Sequence, residues 1–108
     1  MAENLFSVLG IRQSGAKILK YMAVHDEVTS DELETAIDIS QPSISIAIKE
    51  LINRGWVEVG YIRSEGKGRP RHLYTLSKPF SEVADDIESD AKELIRKIEE
   101  GVEYFKEL

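Results

Sequence analysis

Two stretches of this 108-residue chain bring together side chains suited to contact with a polyanion. In Arg63-Ser-Glu-Gly-Lys-Gly-Arg-Pro-Arg71 the cations Arg63, Lys67, Arg69 and Arg71 stand among two glycines and a proline. Guanidinium and ammonium groups on such a segment neutralise phosphates, and a proline beside arginine stiffens a run that a plain spacer would leave slack. The second stretch holds Gln41, Ser43, Ser45, Ile46 and Lys49: an amide, two hydroxyls, an apolar side chain and an ammonium. Gln41 and Ser43 suit phosphate oxygens or base edges, Ile46 suits a thymine methyl, and Lys49 suits a phosphate. Each stretch also has a plainer reading. The first is then a loop whose charges keep a hairpin edge from pairing, and the second a solvated helix face, or one whose Ile46 docks on a protein.

Other chemistry finds little support. Asp85 with Asp86, and Glu99 with Glu100, are neighbours on a helix that point in different directions and imply no shared cleft, so paired catalytic carboxylates are not expected. Cysteine is absent and His25 and His72 lie far apart, which leaves no thiolate chemistry and no visible metal site. Trp56, Tyr61 and Tyr74 read as core or hairpin packing, as does His72, whose alternative is a phosphate contact when protonated. With no nucleophile, phosphate loop or cofactor motif, neither an enzyme nor a cofactor is expected.

The elements that must position these residues are also written locally. From Ile39 to Trp56 the chain reads as one helix. Ser40 suits the N-cap, Pro42 the first turn, and Ile39 with Ile44 a hydrophobic staple. Gly55 suits a left-handed C-terminal turn, after which Trp56 can pack on Leu51. Ile44, Ala47, Ile48 and Leu51 form the core stripe, leaving Pro42, Ser45, Ile46, Lys49 and Asn53 on the other side. Upstream, Thr29 and Glu32 form a capping box for a two-turn helix that carries Leu33, Ala36 and Ile37, and Asp38 to Ser40 is then a three-residue turn: a helix-turn-helix. An earlier helix from about Gln13 to His25 buries Ala16, Leu19, Met22 and Ala23, while Ile18 fits its wheel poorly. Gly10 ends or bends the short apolar opening of Leu5, Phe6, Val8, Leu9 and Ile11. After Gly55 the period changes to two: Val57, Val59 and Tyr61 alternate with Glu58, Gly60 and Ile62, and His72 to Leu76 form a second strand. The basic stretch is the loop between them, which completes a winged helix.

The net charge of −6 is unevenly spread. From Gln41 to His72 the bases Lys49, Arg54, Arg63, Lys67, Arg69 and Arg71 outnumber the acids Glu50, Glu58 and Glu65, whereas acids dominate from Lys78 onward. A local field decides what approaches a surface when the Debye length is about 8 Å. The N-terminus has no basic region followed by a long apolar run, and no apolar stretch of about 18 residues occurs, so a soluble cytoplasmic protein without membrane contact is expected. In the last segment Phe80, Val83, Ile87, Ala91, Leu94, Ile98, Val102 and Phe105 recur at helical spacing, with an 11-residue rather than a heptad period. A helix of about 30 residues, roughly 45 Å long, outreaches so small a domain and needs a partner, most simply a second copy of the chain.

The order of helices, the Gly-hydrophobic-Val turn at Gly55-Trp56-Val57, the basic glycine-rich wing and the long last helix resemble winged-helix transcription regulators of the MarR, ArsR and TrmB type, especially small archaeal members. Leu9-Gly10-Ile11 before Ala16-Lys17-Ile18-Leu19 is similar to the opening of TrmB-like domains. Ile39-Ser-Gln-Pro-Ser-Ile-Ser45 with Arg54-Gly-Trp-Val57 resembles the superfamily's recognition helix, although Ile46 stands where many relatives carry arginine or another polar residue. Gly66-Lys-Gly-Arg-Pro-Arg71 resembles the Gly-Arg-Pro core of the AT-hook, which lies in A·T-rich minor grooves. The resemblance implies a mainly α fold with a β-hairpin wing: a winged helix-turn-helix DNA-binding domain over residues 1–77, its first 11 residues joining the dimer interface, and a dimerisation helix over 78–108. It implies a homodimer on double-stranded DNA, sequence-specific and regulating transcription. Leu5, Phe6, Leu9, Phe80, Val83, Ile87, Leu94, Ile98, Val102 and Phe105 are the expected dimer contacts. The alternative is a winged-helix adaptor that binds proteins without touching DNA. No residue set marks an effector pocket.

Overall fold

A computed structural model describes residues 2–62 and 71–108. Its elements are α1 (Ala2–Val8), α2 (Gln13–Met22), β1 (Glu27–Thr29), α3 (Ser30–Ile37), α4 (Gln41–Asn53), β2 (Val57–Ile62), β3 (Arg71–Leu76) and α5 (Phe80–Lys106). The fold is mostly helical, with a small antiparallel sheet in the order β1-β3-β2, and it is a winged helix. Val57 pairs with Leu76 and Ile62 with Arg71, which sets the hairpin register.

Two glycines end helices by the same device. At the end of α4 the Gly55 N–H donates to the Ile52 carbonyl at 2.9 Å and the Trp56 N–H to the Leu51 carbonyl at 3.1 Å. After α1 the Gly10 N–H donates to Ser7 at 3.0 Å and the Ile11 N–H to Phe6 at 2.8 Å. Both glycines have φ of +81°, the left-handed conformation that this C-cap requires. In each case the next residue, Ile11 or Trp56, turns into the core. At the start of α3 the Thr29 hydroxyl accepts from the Glu32 N–H at 3.1 Å, as the capping box predicts, but the Glu32 carboxylate accepts from the Tyr21 hydroxyl instead of closing the box. That contact also raises the pKa of Tyr21 above the ordinary phenol value, because the neighbouring carboxylate favours the neutral hydroxyl. Asp38 takes a left-handed conformation, φ 52°, in the turn to α4.

The core joins Ile11, Ile18, Leu19 and Met22 to Leu33, the α4 stripe of Ile44, Ala47, Ile48 and Leu51, then Trp56, Val57, Tyr74, Val83 and Ile87. Several expectations are corrected. Helix α2 stops at Met22, and Ala23 is exposed, as is Ala36 on α3. Ile18 is fully buried because α2 is packed on more than one side. The strand β1, which pairs with β3 through Val28 and Tyr74, has no counterpart in the sequence pattern. Phe6, Val83 and Ile87, expected to serve a dimer interface, are buried in the core of their own chain.

The first turns of α5 are bound to this core by polar contacts as well. The Trp56 indole N–H donates to Asp86 Oδ2 at 3.0 Å, and Lys78 donates to the same oxygen. These bonds, the Lys78 one foremost, hold the Asp86 carboxyl below its ordinary pKa. Arg54 donates through Nη2 to the Leu9 carbonyl at 3.0 Å, faces Asp90 Oδ2 at 3.4 Å, and lies 5.3 Å from the Trp56 ring centroid. Beyond Leu94 all of α5 is exposed, and the molecule extends 68 × 25 × 21 Å. None of the described helices is long and apolar enough to cross a membrane.

A Cβ at Gly55 would meet nothing within 4 Å, so Gly55→Ala tests the backbone conformation alone. It is expected to cost about 1–2 kcal/mol, read as a lower urea midpoint at fixed protein concentration. The depressed Asp86 pKa sets a second expectation. A carboxylate whose folded pKa is lowered adds stability above its unfolded pKa, about 3.9, and loses it as pH falls through the folded value. Urea midpoints of wild type and Asp86→Asn should therefore differ most above about pH 5 and converge as the solution becomes strongly acidic. A gap that widens on acidification would contradict the assignment.

Candidate nucleic-acid interface

Helix α4 presents the face its sequence implies. Ile44, Ala47, Ile48 and Leu51 bury one stripe, while Pro42, Ser45, Ile46, Lys49 and Asn53 are exposed on the other. The buried stripe anchors the helix on α2 and α3, and the exposed stripe stands clear of the domain. Ile46 is 46 % exposed, too much for a side chain held by its own core. Gln41 and Ser43 are half-buried at the helix start. The Gln41 amide nitrogen donates to Glu34 Oε2 at 2.7 Å across the helix-turn-helix. Ser40 occupies the N-cap position, but its hydroxyl donates to Ser43 Oγ at 3.1 Å and makes no cap bond to the backbone.

The hairpin starts directly after the Gly55 turn, so the base of the wing and the end of α4 are rigidly linked through Trp56. Arg71 lies at the first position of β3, paired with Ile62 at the last position of β2. Arg63, Lys67 and Arg69 lie outside the described residues. His72 is exposed on β3, and its ring meets Tyr74 edge-on at 6.2 Å.

Three cations at the start of α2 and along α5 are paired with acids of the same chain. Arg12 pairs with Glu50 at 2.6 Å, tying the start of α2 to α4. On α5, Lys92 pairs with Glu88, and Arg96 pairs with both Glu93 and Glu100. The two carboxylates push the Arg96 pKa up, and Arg96 lowers that of Glu93. These pairs are exposed and screened by solvent, so each contributes little to stability. Their effect is to leave the tail without a cation-rich surface, whereas Lys49 remains exposed on α4. No group of His, Cys, Asp and Glu among the described residues could hold a metal ion.

Three residues at or near these surfaces are not identified by sequence reasoning. Glu34 is the partner of Gln41, and only the tight α3–α4 turn brings the two together. Val59 is exposed on β2 although alternation puts it on the same face as the buried Val57. Ile95 is exposed beside the apolar stripe of α5, one position off the periodic set.

The sequence model of the MarR family matches residues 10–70. No curated protein matches the chain. Among solved structures it is similar to a possible transcriptional regulator from Methanosarcina mazei Go1, with a TM-score of 0.74 at 10% identity over 94% of this chain and 86% of that one. It is also similar to a transcriptional regulator homologue from Pyrococcus horikoshii OT3, with a TM-score of 0.62 at 17% identity over 85% and 88% of the two chains. A MarR transcriptional regulator from Methanosarcina mazei Go1 gives a TM-score of 0.59 at 19% identity over 98% and 83%. At these identities the likeness speaks for the fold, whereas the family match covers more than half of the sequence, from just after α1 through α4 and β2 to just before β3. The chain belongs to the MarR family of winged-helix transcriptional regulators.

Proposed function

We propose that this regulator acts in the cytoplasm as a homodimer on double-stranded DNA, with α4 in the major groove and the wing in an adjacent minor groove. The observation that carries the reading is the exposed face of α4, Pro42, Ser45, Ile46, Lys49 and Asn53, rigidly linked to the base of a wing whose sequence holds Arg63, Lys67, Arg69 and Arg71. Gln41 and Ser43 stand at the helix start, within reach of a groove edge. Phosphate contacts supply most of the affinity in such complexes, so the wing cations carry more of it than α4 with its single lysine.

The dimer reading rests on uncovered apolar surface. Leu5 and Val8 on α1, and Ile95, Ile98, Val102 and Phe105 on α5, are exposed, and Phe105 at 73 % has little cover from the described residues of its own chain. Leu9 and Leu94 are half-buried and border this surface, whereas Phe80 at the start of α5 packs against the core of its own chain. A continuous stripe of this kind along a protruding helix is a contact surface, and a second copy offers a stripe of the same composition and length. Two copies of α4 would then meet successive major-groove faces about 34 Å apart.

The exposure of Ile46 favours one other reading, an adaptor that uses α4 to bind a protein. Salt separates the two. Binding to random and A·T-rich duplexes should weaken steeply with salt if DNA is the partner, and an adaptor should show no such dependence. Replacing Arg69 and Arg71 by Ala should weaken binding on most sequences and reduce the salt slope by about 0.9 for each phosphate no longer neutralised. An unchanged slope would remove the wing from the interface. Replacing Leu94 and Ile98 by Lys should give monomers in size-exclusion chromatography coupled to light scattering, and a persisting dimer would place the interface elsewhere.

A further inference from the structure

The exposed face of α4 is poor in groups that read bases by hydrogen bonds, and the contacts at its start deepen that poverty. The N-terminal half of such a helix is the part that meets base edges. There the Gln41 amide nitrogen is held by Glu34 at 2.7 Å. Reading an adenine takes the oxygen and the nitrogen of an amide together, so adenine would compete with that bond. Ser43 is half-buried, and its hydroxyl oxygen already accepts from Ser40. The helix contains no arginine, and Lys49, its single basic residue, is a point charge without the planar fork of a guanidinium.

What the face does offer is apolar. Pro42 and Ile46 are four residues apart, so they share one side of the helix, and both are exposed. Thymine is the base that carries an apolar group, the C5-methyl, on its major-groove edge. We propose that α4 discriminates base pairs through thymine methyl groups packed on Ile46 and Pro42, with Ser45 and Lys49 fixing the helix on the backbone. The sites recognised are therefore duplex half-sites defined by the positions of thymines rather than by guanines. This assignment rests on the DNA-binding reading and adds to it what the helix reads.

The test removes the methyl and nothing else. Duplexes recovered by the intact protein from a randomised pool are remade with deoxyuridine for thymidine at one position at a time, which preserves pairing and the minor-groove edge. At contacted positions the wild-type dissociation constant should rise about fourfold for each methyl removed, with the salt slope unchanged. Ile46→Ala, an exposed position, should bind the unmodified duplex more weakly and lose the deoxyuridine penalty at the thymine that Ile46 covers, keeping it only where Pro42 makes the contact. Half-sites recovered without thymine overturn the proposal, as does a wild type insensitive to every replacement or an Ile46→Ala variant as sensitive as wild type. Recovery of no duplex, together with no salt-dependent binding to the pool, would overturn the DNA-binding reading itself.

Discussion

The placement of Trp56 is the constraint on which the rest of the molecule depends. Its backbone N–H closes α4 on the Leu51 carbonyl, its ring fills the core, its indole N–H reaches Asp86 on α5, and the next residue opens β2. An indole gains most when its apolar body is buried and its N–H is satisfied, and here both conditions are met by elements far apart in sequence. Arg54, lying over the ring, adds the Leu9 carbonyl and Asp90 to the same junction. Helix α4, the base of the wing and α5 are thus held at one point. If α5 joins two copies, the spacing between their α4 helices is set here.

The charge distribution follows from where the ion pairs form. The tail is acidic, and several of its bases are engaged by neighbouring acids along α5, so its surface offers little to an anion. Arg54 and Lys78 are engaged at the Trp56 junction. Lys49 is exposed on α4, and the wing sequence holds Arg63, Lys67, Arg69 and Arg71, so a chain of net charge −6 carries a locally basic segment. If DNA is the partner, apolar contact and shape fall to α4, and electrostatic attraction to the wing sequence.

The long apolar stripe of α5 divides in two. Its first part, Val83 and Ile87, completes the core of the chain's own domain, because the Trp56–Asp86 bond brings those turns down onto it. Its second part, beyond Leu94, runs past the end of the domain and is left exposed by the described elements of the same chain. A periodic pattern does not say where a domain ends, so the stripe looks uniform in sequence although its halves serve different surfaces.

Local chemistry determined much of this protein. Gly55 and Gly10, the Thr29 cap, the stripe from Ile44 to Leu51 and the change of period at Val57 each act within a few residues, and they place the helix-turn-helix, the hairpin and the exposed side of α4. Tertiary structure decided what depends on distant partners. The three-residue β1 is stabilised by its pairing with β3 and has too few residues to show a period of its own. The bond of Gln41 to Glu34 needs the α3–α4 turn, and the burial of Phe6, Val83 and Ile87 needs the docking of both terminal helices. Spacing along the chain tells which side chains share a face, but burial is settled by what else arrives there, and that is a property of the assembled fold.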